Sequence, residues 1–180
     1  MASVKSGRGK KKTTAVRSKK ASASSRKAGA KDALTLLRAD HKHVSSLFDA
    51  YEGARSTKRK LELAKEICSE LKVHTTIEEE IFYPALRRVK GVDDMLDEAN
   101  VEHAGAKHLL GEIERSSPGD DYYDARIKVL SEYIRHHVKE EQDEIFPKAK
   151  KSNINLQALG EQLAQRKMEL KSLLLGLIPR

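Results

Sequence analysis

Two eleven-residue segments of the chain resemble each other and carry residue types that bind metal ions. The first spans residues 74–84 (HTTIEEEIFYP) and the second spans residues 137–147 (HVKEEQDEIFP). In each, a histidine is followed four residues later by a glutamate; the pairs are His74 with Glu78 and His137 with Glu141. Since positions i and i+4 lie on one face of a helix, each segment would present an imidazole beside a carboxylate. Two such pairs are what a metal site inside a four-helix bundle requires.

Two further histidines lie on apolar helical faces. His41 falls between Leu37 and Val44, and His103 falls between Ala99 and Ala106, all at spacings of three or four residues. A single histidine on such a face is usually a hydrogen-bonded core residue. A buried glutamate is harder to explain, because a carboxylate without a partner costs several kcal/mol or becomes protonated. No Lys or Arg lies on these four faces, so we expect divalent cations to supply the charge. The candidate ligands are His41, His74, Glu78, His103, His137 and Glu141.

The ligand types narrow the choice of metal. Imidazole with carboxylate suits iron, manganese or zinc, and the lack of thiolate argues against iron–sulfur clusters and closed structural zinc sites. Four histidines and two glutamates fit two six-coordinate ions bridged by the carboxylates. Three histidines (His43, His108 and His136) lie off these faces and are expected to be exposed or behind the ligands. Cys68 also lies off the ligand face and is interpreted as a small apolar residue.

Five helical patterns position these residues. They cover approximately residues 32–55, 57–89, 92–115, 120–149 and 156–175. Asp32 is expected to cap the first helix. Because the connections are short, the first four patterns predict an all-α fold, an up-down antiparallel four-helix bundle over residues 32–150. Residues 151–180 form an extra C-terminal helix whose leucines would cover the bundle or a partner chain.

Pro84 lies inside the second helical pattern. The apolar face that carries His74 and Glu78 continues through Ile81 and Ala85. Because proline interrupts helical hydrogen bonding, we expect a kink or an end just before it, within residues 80–83.

The positive charge of the chain is concentrated at its N-terminus. Residues 1–31 hold eleven of the 35 basic residues and no acidic residue, so the remainder carries 24 basic against 27 acidic residues. This segment has too few large apolar residues to fold alone and is expected to be disordered. It would tether the protein to DNA or RNA in a salt-sensitive manner, or serve as a solubilising leader. A transit peptide and binding to anionic lipid are further alternatives.

The same sequence indicates a compartment. One cysteine cannot form an internal disulfide, which favours a reducing environment. The chain has neither the apolar stretch of a secretory signal nor one long enough to cross a membrane. We therefore expect a cytoplasmic protein, associated with the nucleoid if the basic segment binds DNA.

The motifs together resemble a hemerythrin-like (HHE cation-binding) domain, from about Asp32 to Ala149. The matching motifs are Ala39-Asp40-His41, the 74–84 segment, Glu102-His103 and the 137–147 segment. The resemblance implies a four-helix bundle with a centre of two non-haem Fe ions, oxo- or hydroxo-bridged, with manganese or zinc as alternatives. It also implies that the six candidate ligands named above hold those ions.

The chain departs from the oxygen-carrying hemerythrins at two positions. Lys107 stands where they have a second third-helix histidine, and Gln142 stands where they have an aspartate, with Glu141 replacing it one residue earlier. A Lys107 that faced inward would oppose metal binding. The site is therefore expected to be poorer in histidine and richer in carboxylate, which argues against reversible oxygen storage.

These observations favour a non-haem iron protein that binds or senses oxygen, peroxide, nitric oxide or iron itself. One alternative is a catalase-like enzyme that degrades peroxide at the same centre. No further general acid or base is apparent from the spacing, so catalysis is not indicated. Another alternative is a nucleic-acid-tethered, iron-binding protective protein that uses residues 1–31.

Overall fold

A computed structural model of the chain describes residues 1–2, 31–174 and 176. No strand occurs within these ranges, which confirms the all-α prediction. The predicted disorder of the basic segment concerns residues that lie almost entirely outside them. The helical elements are α1 (Ala33–Gly53), α2 (Thr57–Ile77), the π-helical turn π1 (Glu78–Phe82), α3 (Tyr83–Leu86), α4 (Asp93–Glu114), α5 (Tyr123–Glu140), the π-helical turn π2 (Glu141–Ile145), α6 (Phe146–Lys151) and α7 (Leu156–Leu174).

The first four long helices form the predicted up-down bundle. Helix α1 packs against α2 and α4 packs against α5, while α2 also contacts α4 and α1 contacts α5. Each helix therefore borders two others around a shared interior. The predicted cap is confirmed, because the Asp32 side chain accepts a hydrogen bond from the Thr35 backbone N–H at 3.0 Å. A cap of this kind stabilises the helix start by ~1 kcal/mol.

Both eleven-residue segments contain a π-helical turn directly before their proline. The backbone N–H of Tyr83 bonds to the carbonyl of Glu78, and that of Phe146 bonds to the carbonyl of Glu141, five residues back in each case. Proline has no N–H and crowds the carbonyl four residues before it, and the wider turn relieves this conflict. The kink or end expected before Pro84 takes this form, since regular α-helix stops at Ile77 and the chain continues through π1.

The π-helical turn moves the apolar face by one residue. Ile81 and Ala85, which the sequence pattern placed inward, are only partly buried, and that prediction is wrong. Their neighbours Phe82 and Leu86 are fully buried instead. A π turn inserts one residue into the helical repeat, so every later side chain advances to the next position.

The interior of the bundle consists of two apolar clusters with a polar layer between them. Along α1, Leu37 belongs to one cluster and Val44 to the other, and His41 lies between them. Along α4, Ala99 and Ala106 flank His103 in the same way. The two clusters hold the polar layer on both sides and shield it from water.

Helix α7 covers one side of the bundle. It packs against α1, α2 and π1, with Leu159 and Leu163 buried in the cluster that contains Leu37. Gly160 is required at the crossing, because a Cβ atom there would lie 2.2 Å from the Lys31 carbonyl oxygen. The leucines of the fifth helix are therefore used, at least in part, within the chain itself.

Candidate metal centre

The fold brings all six predicted ligand side chains into the polar layer. They come from α1, α2, π1, α4, α5 and π2, and none is more than 5% exposed. The residues are His41, His74, Glu78, His103, His137 and Glu141. Glu78 belongs to two groups of three side chains that could each hold a metal ion. In each group the ligand atoms lie within 4.8 Å of one another, and the other members are His41 with His74 and His103 with His137.

The histidines form two pairs. Nε2 of His41 and Nε2 of His74 lie 2.9 Å apart, and we call this pair the first half-site. Nε2 of His103 and Nε2 of His137 lie 3.1 Å apart and form the second half-site.

Glu78 lies between the two half-sites. Its Oε1 is 3.2 Å from Nε2 of His74, and its Oε2 is 3.4 Å from Nε2 of His103. Glu141 places Oε2 3.3 Å from Nε2 of His41. One carboxylate thus faces both histidine pairs, which is the geometry of a bridging ligand.

The electrostatics of this layer fit a cation. Within the described residues, none of the four carboxylate oxygens of Glu78 and Glu141 has a hydrogen-bond partner, although all are buried. Burial, followed by the charge of Glu141, raises the pKa of Glu78 well above its usual range. Burial also works against ionisation of Glu141, but the imidazoles of His41, His137 and His74 together outweigh it and lower the pKa of Glu141 to about 2. Two buried carboxylates this close need positive charge between them.

The imidazole of His74 is suited to the role of ligand. Burial lowers the pKa of His74 to about 4, so the ring is neutral near pH 7. A neutral imidazole offers an unprotonated nitrogen to a metal ion. The donor set of imidazoles and carboxylates matches iron, manganese or zinc, so the side chains present fit the expected group.

Each histidine ring has a second contact at Nδ1, on the side away from the centre. His103 donates from Nδ1 to Glu79 at 3.0 Å, and His137 donates from Nδ1 to Glu102 at 2.7 Å. In the first half-site, Nδ1 of His74 faces Asp40 at 3.7 Å, and the side-chain amide of Gln142 lies 3.0 Å from Nδ1 of His41. Such partners orient an imidazole so that Nε2 faces the metal. These four partners are Asp40, Glu79, Glu102 and Gln142.

These four partners were not predicted as a set, although the sequence carries a signal for them. Each lies directly beside a candidate ligand in the chain: Asp40 precedes His41 and Glu102 precedes His103, while Glu79 follows Glu78 and Gln142 follows Glu141. The positions therefore repeat between the two helical hairpins as the ligands do. The Gln142 substitution, noted as a departure from the oxygen carriers, belongs to this outer set.

Two lysines each bind one of the three outer carboxylates. Lys107, which would have opposed a cation if it faced inward, instead points outward and places Nζ 2.5 Å from Glu79. The hydrogen bond from His103, followed by Lys107, lowers the pKa of Glu79 to about 2. Lys167 of α7 bonds to Asp40 in the first half-site. The fifth helix thus contributes a charge next to the centre.

Aromatic rings cover one histidine of each half-site. Tyr83 stacks on His103 with ring centroids 5.5 Å apart, and Phe146 stacks on His41 at 5.9 Å. Tyr83 and Phe146 occupy equivalent positions in the two eleven-residue segments. Only the first carries a hydroxyl, which lies 3.4 Å from Nε2 of His103, and burial raises its pKa well above the usual range.

The residues predicted to lie off the ligand faces do so. The side chains of His43, His108 and His136 are 46%, 73% and 61% exposed. Cys68 is buried, and burial, followed by Glu114, raises its pKa to about 12, so its thiol stays protonated and unreactive.

Comparison with known proteins identifies the family. The model of the hemerythrin HHE cation binding domain matches residues 32–149. The chain therefore belongs to this family, and the predicted resemblance is confirmed. Membership implies a cation-binding domain in this part of the chain.

Two individual proteins are similar to the chain. A crystal structure of a hemerythrin HHE cation binding domain-containing protein from Mycobacterium kansasii matches with a TM-score of 0.67 and 23% identity, over 79% of this chain and 88% of that one. At this identity the likeness concerns the fold. A DNA nickase from Nostoc sp. is 29% identical over 111 residues, which are 62% of this chain and 31% of the nickase. The match thus covers about a third of the nickase.

Among the described helices, none is both long enough and apolar enough to cross a membrane.

Proposed function

We propose that the chain binds two metal ions, iron in the cell, and that this centre responds to oxygen, peroxide or nitric oxide. The ligands would be His41 and His74 in the first half-site, His103 and His137 in the second, with Glu78 and Glu141 as carboxylate ligands. The observation that carries the proposal is the arrangement of inward Nε2 atoms around buried carboxylate oxygens that have no hydrogen-bond partner among the described residues. An iron pair bound there would supply reversible one-electron redox chemistry and open coordination positions for small oxidants.

The side chains around the centre have defined tasks in this proposal. Glu79, Glu102 and Gln142 would orient their imidazoles through contacts of 2.7–3.0 Å at Nδ1, and Asp40 lies 3.7 Å from Nδ1 of His74. The apolar clusters on both sides exclude water. The buried hydroxyl of Tyr83 holds a proton beside the second half-site and can donate a hydrogen bond to a small ligand there.

Near-ultraviolet absorption tests the response to oxidants. The full chain is loaded with Fe²⁺ without oxygen, and its spectrum is recorded before and after addition of oxygen, hydrogen peroxide or nitric oxide. We expect a new absorption band with at least one of them, absent in Glu78→Gln and retained in the surface control Asp143→Asn. An unchanged spectrum with all three would contradict the proposal. Sustained peroxide consumption, lost in Glu78→Gln, would identify the catalase-like enzyme instead.

A second proposal concerns nucleic acid, and two observations favour it. The chain is similar to a DNA nickase over 111 residues, and residues 1–31 carry eleven basic residues and no acidic residue. We propose that residues 1–31 bind DNA or RNA while residues 32–150 hold the metal and residues 151–180 cover the bundle. Binding through phosphate contacts would be independent of sequence and would weaken steeply with salt.

A charge-neutralised variant tests the second proposal. All ten Lys and Arg residues between positions 5 and 27 are replaced by Gln in the full chain. We expect the parent to retard duplex DNA in a gel and the variant to lose this retardation. Equal retardation by both proteins would refute a role for the basic segment.

A further inference from the structure

A small cavity between α4, α5 and π2 reaches the second half-site. Its volume is about 40 Å³, which admits water-sized species. The exposed residues Glu98 and Glu144 lie on its wall, and the half-buried Glu102 and Glu140 lie on it as well. The wall thus changes from exposed to buried carboxylates between solvent and the bundle interior.

The inner wall of this cavity belongs to the candidate metal centre. His137 and Glu141 line it, and they are 4% and 1% exposed. Both carboxylate oxygens of Glu141 are buried without a hydrogen-bond partner among the described residues. A cation that entered the cavity would therefore meet an unpartnered carboxylate and an imidazole of the second half-site.

The charge of the cavity is negative. Neither Lys nor Arg contributes to its wall, and Glu98 and Glu144 form no ion pair within the described part of the chain. Five of its nine lining residues are glutamates. Carboxylates of one sign around a narrow cleft raise the local concentration of cations and accelerate their association.

A further group of side chains that could hold a cation lies beside the cavity. Glu102, His136 and Glu140 each offer one ligand atom, and these atoms lie within 4.8 Å of one another. Glu102 and Glu140 also line the cavity, and His136 is mostly exposed. Three such donors, partly hydrated, would hold a cation weakly and release it inward.

We propose that this cavity is the inlet through which a divalent cation reaches the metal centre. The inlet rests on the proposed function, because it has no purpose without a metal centre. Glu98 and Glu144 attract the ion, the Glu102–His136–Glu140 group exchanges part of its water, and His137 with Glu141 receives it.

The rate of metal uptake tests the inlet. Metal-free full-length protein is mixed with Co²⁺ alone in a stopped-flow instrument, and visible absorption reports binding. The test variant is Glu98→Gln/Glu144→Gln. Its matched control is Glu132→Gln/Glu161→Gln, which removes the same charge from exposed positions outside the cavity. We expect uptake to slow by about tenfold in the test variant and less than about twofold in the control, at the low end of electrostatic steering.

The outcomes separate the inlet from the centre. Two Co²⁺ per chain in the parent and in both variants, with slow uptake only in the test variant and a weaker salt dependence there, would support the inlet. Equal rates in test and control variants would refute the inlet and leave the metal centre standing. A parent chain that takes up no Co²⁺ would refute the metal centre, and the inlet with it.

Discussion

The two half-sites of the candidate metal centre share one plan but differ in charge. In the first, Lys167 neutralises Asp40, and the remaining outer partner, Gln142, is an uncharged amide. In the second, Lys107 neutralises Glu79, but Glu102 has no lysine or arginine partner among the described residues. The second half-site therefore carries one more negative charge next to its imidazoles.

The half-sites also differ in access and in their aromatic covers. The second half-site adjoins the acidic cavity and the Tyr83 hydroxyl. The first half-site is covered by Phe146 and lies beside Asp40, and Lys167 of α7 contacts this aspartate. Duplicated helical hairpins thus supply equivalent ligand positions, and changes at the adjacent positions make the environments unequal. We expect two metal ions bound with different affinities.

The largest expected effect comes from the carboxylate that the half-sites share. Glu78→Gln removes the carboxylate that faces both histidine pairs while it keeps the shape of the side chain. We expect metal content after anaerobic loading to fall from two ions per chain to fewer than one, measured by elemental analysis. Asp143→Asn, an exposed neighbour, should retain both ions. A Glu78→Gln protein that keeps two ions would show that the two half-sites do not depend on this carboxylate.

Removal of one histidine should affect one half-site only. His137→Ala deletes a ligand of the second half-site, and His74→Ala deletes its equivalent in the first. We expect each variant to retain about one ion per chain, because the other imidazole pair and Glu78 remain. Loss of both ions in either variant would mean that the half-sites do not bind independently.

Exchange of the outer partners should shift affinity without changing the number of ions. Gln142→Glu adds a carboxylate behind His41, and Glu79→Gln removes one behind His103. Outer partners of this kind change metal affinity by about 10- to 100-fold. We expect the first variant to tighten the weaker site and the second to weaken the tighter one, measured by titration against a chelator. If both variants changed the metal affinity in the same direction, the proposed difference in charge between the half-sites would be contradicted.

The smallest effect should separate the two lysines. Lys167 is 19% exposed and holds an Asp40 side chain that is 12% exposed, whereas Lys107 is 42% exposed. We expect Lys167→Met to lower the free energy of unfolding by about 1–3 kcal/mol, because it leaves a largely buried carboxylate unpaired. Lys107→Met should cost less than about 1 kcal/mol, as exposed ion pairs do. Urea unfolding of the metal-free proteins measures the free energy of unfolding of both variants. Equal losses of this free energy would show that α7 does not protect the first half-site.

The candidate ligands could be predicted because their pattern occurs in both helical hairpins. The 3.6-residue period placed His41 and His103 on apolar faces, and the duplicated segments placed His74 with Glu78 and His137 with Glu141. A buried carboxylate without a nearby Lys or Arg then led us to expect a cation. Local spacing carries all of this information, and the structure brings these side chains together as expected.

Other features depend on contacts that local spacing does not contain. The wider π turn before Pro84 shifted the buried face from Ile81 to Phe82, because proline chemistry overrides the regular helical period. The bond between Lys167 and Asp40 joins residues 127 positions apart and arises only when α7 folds back onto the bundle. The cross-bundle contacts of Glu79 and Gln142 likewise require the relative placement of the two hairpins.

Metal content per chain tests the central claim most directly. The full-length protein is purified without oxygen, its metals are counted, and the metal-free form is titrated with Fe²⁺. We predict two irons per chain, bound in two steps of different affinity, with a near-ultraviolet response to oxidation. Fewer than one metal per chain, or zinc with no spectral response, would contradict a redox-active pair and mean that the buried histidines and glutamates serve another purpose.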